Sequence, residues 1–274
     1  MSVQKRKVRK AVCVGINDYP GTYNDLNGCV NDANDWAKLL REQFGFGNNI
    51  KLLTDANATR KSILAALEDM VTGAKRGDVI AFTYSGHGTW VYDQGERDES
   101  DNRDEAICAH DGNILDDELR EVISQIDREA HLTVVSDSCH SGTICRAMLK
   151  ATYDRDRKAA KNALKPRYMP PIEEVDAALS DLIPIRRRML YPESDMPEIL
   201  LTGCNSTEYS YDAYVGGRYN GVMTATAIRL IEADPAQTYL QLHKKIRTLL
   251  PSPRYAQAPQ LEGSGANKRR ALFG

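Results

Sequence analysis

Two short apolar runs in this chain each lead directly into a chemically reactive side chain. Residues 79–84 are followed by His87, and residues 132–135 are followed by Cys139. Runs of this length and composition are typical of strands that are buried on both faces of a parallel sheet. In open α/β sheets, ligand sites lie beyond the carboxyl ends of the strands. The two runs therefore predict an α/β fold that can bring His87 and Cys139 into one cleft.

The rest of the chain repeats this alternation of strand and helix patterns. Further strands are predicted at residues 11–16, 50–53 and 198–204, and helices at 30–40, 60–74, 117–126, 222–231 and 239–249. Thr59 is the predicted N-cap of the second helix. An acidic loop is expected before residue 117. We expect one domain over residues 1–274, in which a half at 1–149 and a half at 196–274 flank a basic, proline-containing excursion at 150–195.

Composition excludes several classes of protein. The 274 residues carry 36 basic and 38 acidic side chains, so the net charge of −2 gives no reason to expect nucleic acid or an anionic membrane as a partner. The basic N-terminal residues lead into an apolar run that is too short for a signal sequence or a membrane span. The six cysteines are irregularly spaced and predict no disulfide framework, which favours a reducing, cytoplasmic location.

Two motifs carry a family resemblance. Ser85-Gly86-His87-Gly88 is followed, 52 residues after the histidine, by a cysteine in the motif Asp137-Ser138-Cys139-His140-Ser141-Gly142. Caspases carry their histidine about 50 residues before the cysteine. The chain resembles the metacaspase branch of the caspase-like cysteine peptidases (peptidase C14), which includes the bacterial-type metacaspases or orthocaspases. Other stretches similar to that family are residues 26–33, 104–106, 116–119 and 203–204, with Ser210 and Asp212.

The resemblance implies a caspase-like three-layer sandwich, in which a central, mostly parallel six-stranded sheet has helices on both faces. It also implies a Cys/His dyad that works without a third orienting residue. Cys139 would be the nucleophile that forms a thioester acyl-enzyme, and His87 would protonate the leaving amine. The backbone N–H groups of Gly88 and Cys139 would bind the oxyanion. Taken singly, the cysteine reads as a buried thiol and the histidine as an ordinary loop residue.

By the same resemblance, Asp32, Asp137, Ser85 and Cys29 match positions that line the S1 pocket, which holds the substrate side chain on the amino side of the cleaved bond. Two carboxylates there suit a planar guanidinium. We therefore expect peptide and protein substrates that are cleaved after Arg or Lys. Without the motif, Asp32 reads as a helix first-turn acid and Asp137 as a hydrogen-bond acceptor at a strand end.

The resemblance further assigns Asp104, Asp116 and Asp117 to the calcium-binding acids of the family. Arg146 stands where calcium-dependent members place another aspartate, and it adds positive charge where a cation would bind. We therefore expect no required cofactor, with Ca²⁺ as the alternative. The plain alternative is that Asp116 and Asp117 support the start of a helix.

The basic excursion contains candidate sites at which the enzyme could cleave its own chain. We expect it to be exposed and open to self-cleavage, although the sequence does not select a bond; its basic residues are Lys158, Lys161, Lys165, Arg167 and Arg186 to Arg188. Two other functions remain open at this point. One is a catalytically silent caspase-like scaffold that binds partners through the same cleft, and the other is a calcium sensor. By the resemblance, the chain is expected to be a monomer.

Overall fold

The structure of the protein is a computed structural model that describes residues 7–21, 24–92, 103–139, 164–169, 195–205 and 208–274. Twelve strands are described within these ranges: β1 (Arg9–Gly15), β2 (Ile50–Thr54), β3 (Val79–Ser85), β4 (Gly88–Tyr92), β5 (Arg103–Ala109), β6 (Gly112–Leu115), β7 (His131–Asp137), β8 (Lys165–Pro166), β9 (Glu198–Thr202), β10 (Tyr211–Val215), β11 (Arg218–Gly221) and β12 (Gln260–Glu262). The α-helices in the same ranges are α1 (Cys29–Phe44), α2 (Arg60–Thr72), α3 (Asp116–Ile123), α4 (Val222–Ala233), α5 (Tyr239–Leu249) and α6 (Gly265–Lys268).

Six of the strands form a central sheet in the order β12-β9-β7-β3-β1-β2. All neighbours in it are parallel except β12, which runs antiparallel to β9. The expected mostly parallel, six-stranded sheet is confirmed. The strand β9 extends the sheet beside β7, so the part of the chain after the basic excursion completes the sheet that the first part begins.

Helices cover both faces of the sheet because successive residues of a strand point to opposite sides. On β1, Val12 and Val14 pack with α2 and α3, whereas Ala11 and Cys13 pack with α1, α4 and α5. These two apolar layers account for the mostly hydrophobic character of the central strands, and they confirm the three-layer architecture.

The predicted helix start at Thr59 is confirmed. The hydroxyl of Thr59 accepts a hydrogen bond from the backbone N–H of Ser62 at 3.1 Å, which satisfies one of the free donors in the first turn of α2.

Two small sheets flank the central one, and the sequence patterns did not predict them. One has the order β4-β5-β6, and the other has the order β11-β10-β8. The acidic loop expected before residue 117 is therefore wrong for its described part, because β5 and β6 pair there as an antiparallel hairpin. Both small sheets lie next to the strand ends that carry the candidate site.

The described helices include none that is long and apolar enough to cross a membrane. The five cysteines within the described ranges, Cys13, Cys29, Cys108, Cys139 and Cys204, are all buried and free.

Candidate active site

Neighbouring strands deliver His87 and Cys139 to the same edge of the central sheet. The strands β3 and β7 are parallel, and their last residues, Ser85 and Asp137, are paired in register. Each reactive residue therefore lies two positions beyond its strand. The turn after β3 approaches the turn after β7 so closely that a Cβ atom on Gly88 would lie 1.9 Å from the carbonyl oxygen of Cys139. Only glycine fits at position 88, because any side chain would clash with the backbone of Cys139.

The imidazole of His87 is buried and held in one orientation. Its Nε2 lies 2.5 Å from the carbonyl oxygen of Asn24, so Nε2 must carry the proton and donate it. The ring also packs at 4.8 Å from the ring of Tyr19. Within the described residues Nδ1 makes no hydrogen bond. Burial lowers the pKa of His87 to about 4, so the ring is neutral at neutral pH and Nδ1 can accept a proton.

The Asn24 carbonyl is an orienting group that the sequence reasoning did not identify. It fixes the tautomer of His87 as a carboxylate does in a Ser-His-Asp triad. A backbone carbonyl leaves no side-chain signal in a sequence, so only the folded chain could locate it.

The thiol of Cys139 is fully buried and lies against the backbone of Ser210. Its Sγ accepts a hydrogen bond from the Ser210 N–H at 2.7 Å and can donate to the Ser210 carbonyl oxygen at 3.3 Å. Ser210 precedes β10, so a residue from the second half of the chain positions the sulfur delivered by the first half.

Beside the thiol, three buried carboxylates surround one arginine of the same chain. The Nη2 atom of Arg167 lies 2.6 Å from Asp32 Oδ2 and 3.2 Å from Asp212 Oδ1. Its Nη1 atom lies 3.2 Å from Asp137 Oδ2 and donates to the Asp137 carbonyl oxygen at 3.0 Å. The side chains of all four residues are at most 1% exposed. A guanidinium fits this arrangement because its two terminal nitrogens can face separate acceptors.

Each carboxylate of this acid pocket, defined as Asp32, Asp137 and Asp212, is also held by backbone N–H groups. Asp32 accepts from the Gly221 N–H, Asp137 from the Thr224 N–H, and Asp212 from the Gly28 N–H. These donors fix the oxygens in place and offset part of the cost of burying negative charge.

Burial raises the pKa of Asp32 to about 6; Arg167 opposes that shift, and the neighbouring Asp137 carboxylate adds to it. With a pKa of about 6, Asp32 is mostly charged only above about pH 6.

The backbone of Arg167 is bound as firmly as its side chain. Its carbonyl oxygen accepts hydrogen bonds from the N–H groups of Gly88 at 3.0 Å and of Cys139 at 3.1 Å. Its own N–H donates to the Ser210 carbonyl oxygen at 2.9 Å. The two donors that the resemblance assigned to the oxyanion thus converge on one carbonyl oxygen, and that carbonyl belongs to the residue whose side chain fills the acid pocket.

The residues around Arg167 lie across the site as an extended peptide. Before the arginine, β8 pairs antiparallel with β10, with Pro166 opposite Tyr211. After it, the Met169 N–H donates to the Gly88 carbonyl oxygen at 2.9 Å. This backbone pairing is the usual way in which an extended peptide binds to a strand edge.

Comparison with known proteins identifies the family. A family model described as metacaspase, peptidase C14 domain, matches residues 9–148. The chain belongs to the metacaspase family. The matched region contains His87, Cys139, Asp32 and Asp137, whereas Arg167 and Asp212 lie beyond it.

Individual relatives extend the similarity over nearly the whole metacaspase chain. Metacaspase-1 of Cryptococcus neoformans is 31% identical over 298 residues, which cover 97% of this chain and 64% of that protein. Metacaspase-4 of Arabidopsis thaliana is 38% identical over 161 residues, which cover 56% of this chain and 38% of that protein. This chain thus spans just under two thirds of the length of the Cryptococcus protein.

A solved structure shares the fold. The crystal structure of a protein from Geobacter sulfurreducens superimposes with a TM-score of 0.74 at 26% sequence identity, over 97% of this chain and 98% of that one.

The structure places the residues of this metacaspase that were assigned to the S1 pocket as follows. Asp32 and Asp137 contact the Arg167 guanidinium directly. Cys29 is buried at the start of α1, and burial raises the pKa of its thiol well above the usual value. Ser85 is buried at the end of β3, and its hydroxyl makes no hydrogen bond within the described residues.

Two residues of the pocket were missed. Asp212 was noted only as part of a stretch similar to the family, and its role depends on β10 lying beside the turn at Asn27 and Gly28 that precedes α1. Arg167 was expected in an exposed stretch, which is wrong: its side chain is fully buried. A buried arginine requires acidic partners, and here they come from three distant parts of the chain. The other basic residues of the excursion, apart from Lys165, lie outside the described residues.

The residues considered for calcium are spread over two elements. Asp104 lies on β5, and Asp116 and Asp117 begin α3, where Asp116 pairs with Arg120 at 3.3 Å. In the part of the chain that the structure describes, no group of three or more acidic, histidine or cysteine side chains is placed to hold a metal ion. Arg146 falls outside that part, so the calcium question stays a prediction.

Proposed function

We propose that this metacaspase is a cysteine endopeptidase that hydrolyses peptide bonds after arginine, and less readily after lysine. The single observation that carries the proposal is the position of Arg167. Its guanidinium contacts three carboxylates, while its carbonyl oxygen accepts hydrogen bonds from two N–H groups, one of them that of Cys139 itself. This arrangement supports the proposal because it is the one expected for the residue on the amino side of a cleaved bond.

The geometry supports a defined sequence of proton transfers. Nδ1 of neutral His87 would take the proton of the Cys139 thiol, and the sulfur would attack the substrate carbonyl carbon. The N–H groups of Gly88 and Cys139 would stabilise the developing oxyanion. As the C–N bond breaks, His87 would return the proton to the leaving amine. Water would then hydrolyse the thioester with His87 as base.

A scan of substrates that differ only in the residue before the cleaved bond tests the specificity. We expect arginine peptides to be cleaved with a kcat/KM about 100-fold or more above that of neutral residues, because charge-assisted hydrogen bonds to buried carboxylates are strong. Lysine should fall between them, since one ammonium group cannot satisfy the acceptors that two guanidinium nitrogens reach. A preference for aspartate, or equal rates for all residues, would refute the acid-pocket proposal.

The same observation selects a bond for self-processing. We propose that the enzyme cuts its own chain between Arg167 and Tyr168, because this is the bond whose carbonyl accepts hydrogen bonds from Gly88 and Cys139. Until that bond is cut, the arginine occupies the pocket that an external substrate needs.

Self-processing is checked by following the purified protein as activity develops. The wild-type chain should yield fragments 1–167 and 168–274, and N-terminal sequencing of the second should begin at Tyr168. Arg167→Gln should prevent this cut, because a neutral amide cannot replace the guanidinium among three acids. Arg188→Gln, in the same basic excursion, is the matched control and should leave the cut unchanged. A fragment that begins elsewhere would assign self-processing to another bond.

We also propose that the enzyme needs no metal ion. The support is that the Asp116 carboxylate is paired with Arg120, and that the proton transfers above need only His87 and Cys139. Adding a calcium chelator should leave the rate of hydrolysis of an arginine peptide unchanged within error, and calcium should not restore any loss. A rate that disappears with chelator and returns with Ca²⁺ would instead favour the calcium-sensing alternative.

A cytoplasmic location and a monomeric state stay predictions. The free, buried cysteines are consistent with a reducing compartment. Size-exclusion chromatography of the uncut protein would test the oligomeric state.

A further inference from the structure

The residue that follows Arg167 is held by a second, chemically different pocket. Tyr168 is buried in a cluster with Trp90, Cys139 and Cys204, and Tyr209 packs against that cluster. Cys139 is itself a member of this cluster, so the side chain after the proposed cut bond packs in the same cluster as the proposed nucleophile.

The pocket suits a phenol in particular. The indole N–H of Trp90 donates a hydrogen bond to the Tyr168 hydroxyl at 3.0 Å. The ring of Tyr209 lies 6.0 Å from that of Tyr168 at an interplanar angle of 56°, a common arrangement for aromatic pairs. The pocket therefore combines aromatic walls with a buried donor. A smaller side chain would lose the packing, and phenylalanine would leave the indole N–H without this acceptor.

Gly88 holds the backbone on both sides of that pocket. Its N–H donates to the carbonyl oxygen of Arg167, and its carbonyl accepts the N–H of Met169 at 2.9 Å. Tyr168 is bracketed by these two hydrogen bonds and forms a parallel bridge with Gly88. The backbone on both sides of Tyr168 is therefore held by Gly88, to which we also assign an oxyanion donor.

We propose that Trp90 and Tyr209 form a specificity pocket for the residue after the cleaved bond, and that the preferred substrates of this enzyme contain Arg followed by Tyr. The inference rests on the proposed function, since it takes the docked segment as a substrate. It adds a second requirement to the preference for arginine, and it names Trp90 as the residue that distinguishes tyrosine from phenylalanine.

The test uses internally quenched peptides of the sequence Leu-Lys-Pro-Arg-X-Met, in which X is Tyr, Phe or Ala. We expect the kcat/KM for Phe to be about 3- to 10-fold below that for Tyr, the usual effect of one buried hydrogen bond. For Ala we expect a fall of about 30-fold or more, because the ring contacts are lost as well. Residues 164–169 of the enzyme itself compete with all three peptides and lower their rates by the same factor. Ratios measured on one enzyme preparation are therefore unaffected by this competition.

Two variants assign the effect to the pocket. In Trp90→Phe the Tyr-to-Phe ratio should fall to about one, because the donor is gone. Trp36→Phe, a matched change at a buried tryptophan in α1, should keep the wild-type ratio. A Tyr-to-Phe ratio near one in the wild-type enzyme overturns the inference without any variant, and an unchanged ratio in a folded Trp90→Phe protein also overturns it.

A coumarin amide of Leu-Lys-Pro-Arg has no amino acid after the arginine. It therefore distinguishes failure of the aromatic-pocket inference from failure of the proposed peptidase function. If the amide is hydrolysed but the peptides do not differ, only the aromatic pocket is refuted. If neither the amide nor any peptide is hydrolysed, the proposed peptidase function itself fails.

Discussion

Replacing Cys139 with alanine is expected to abolish hydrolysis of an arginine peptide, with a loss of at least about 10⁴-fold in kcat, because removing a nucleophile eliminates the covalent route. The fold should persist, since the change removes one buried sulfur from a site that many backbone hydrogen bonds define. Steady-state kinetics with a fluorogenic arginine substrate measures the loss, and circular dichroism checks the fold.

Cys13→Ala is the matched control, because Cys13 is equally buried but lies in the layer beneath α1. It should keep the activity. If Cys139→Ala hydrolysed the substrate at the wild-type rate, the nucleophile assignment would fail. A wild-type protein with no hydrolysis of any basic peptide would favour the silent scaffold, which would use the same cleft for binding alone.

The second large effect is expected at the acid pocket. Asp32→Asn should lower the kcat/KM for arginine peptides by about 10²- to 10³-fold, because the substrate guanidinium would meet a neutral amide where it otherwise contacts one of three buried carboxylates. Asp32 contacts Arg167 at 2.6 Å, and we expect it to meet a substrate arginine in the same way. Asp234→Asn is the control, since Asp234 pairs with Lys245 at the surface, where such pairs contribute little.

The pH dependence of binding offers a second readout of the same residue. The pKa of Asp32 is raised to about 6, so the carboxylate is neutral below that pH and charged above it. Burial raises the pKa of that carboxyl even with Arg167 beside it, so the KM for arginine peptides should be higher at pH 5 than at pH 7.5 in the wild type, and Asp32→Asn should lack that change. His87 titrates lower, at about 4, so the two effects separate. An identical KM at pH 5 and pH 7.5 would contradict the role of Asp32.

The central sheet could be predicted from the sequence because its strands are signalled locally. Residues 79–84 and 132–135 are apolar except for Thr83 and Thr133 and carry no charge, and their positions alone placed His87 and Cys139 at strand ends. The strand β5 was missed although residues 106–109 are apolar, because Arg103, Asp104 and Glu105 open it and resemble a solvated loop. Pairing with neighbours, which depends on distant residues, decides their conformation.

The candidate site also contains some residues that the sequence could predict and others that it could not. Asp32 and Asp137 lie next to recognisable motifs, so a family pattern could assign them. Arg167 could not be assigned, because its charge predicts exposure, and its burial depends on Asp32, which is 135 positions away in the chain. The Asn24 carbonyl and the hydrogen bond between Trp90 and Tyr168 likewise exist only once the chain is folded.

The position of β9 between β7 and β12 determines what a cut at Arg167 would leave behind. Backbone pairing of β9 with β7 would continue to join the two fragments, so the product should migrate as two bands in denaturant and as a single particle under native conditions. Asp32 and Asp137 would then belong to one polypeptide and Asp212 to the other. A substrate arginine bound to all three carboxylates would bridge the two fragments. Substrate should therefore slow dissociation of the cut enzyme, whereas the intact chain cannot dissociate in this way.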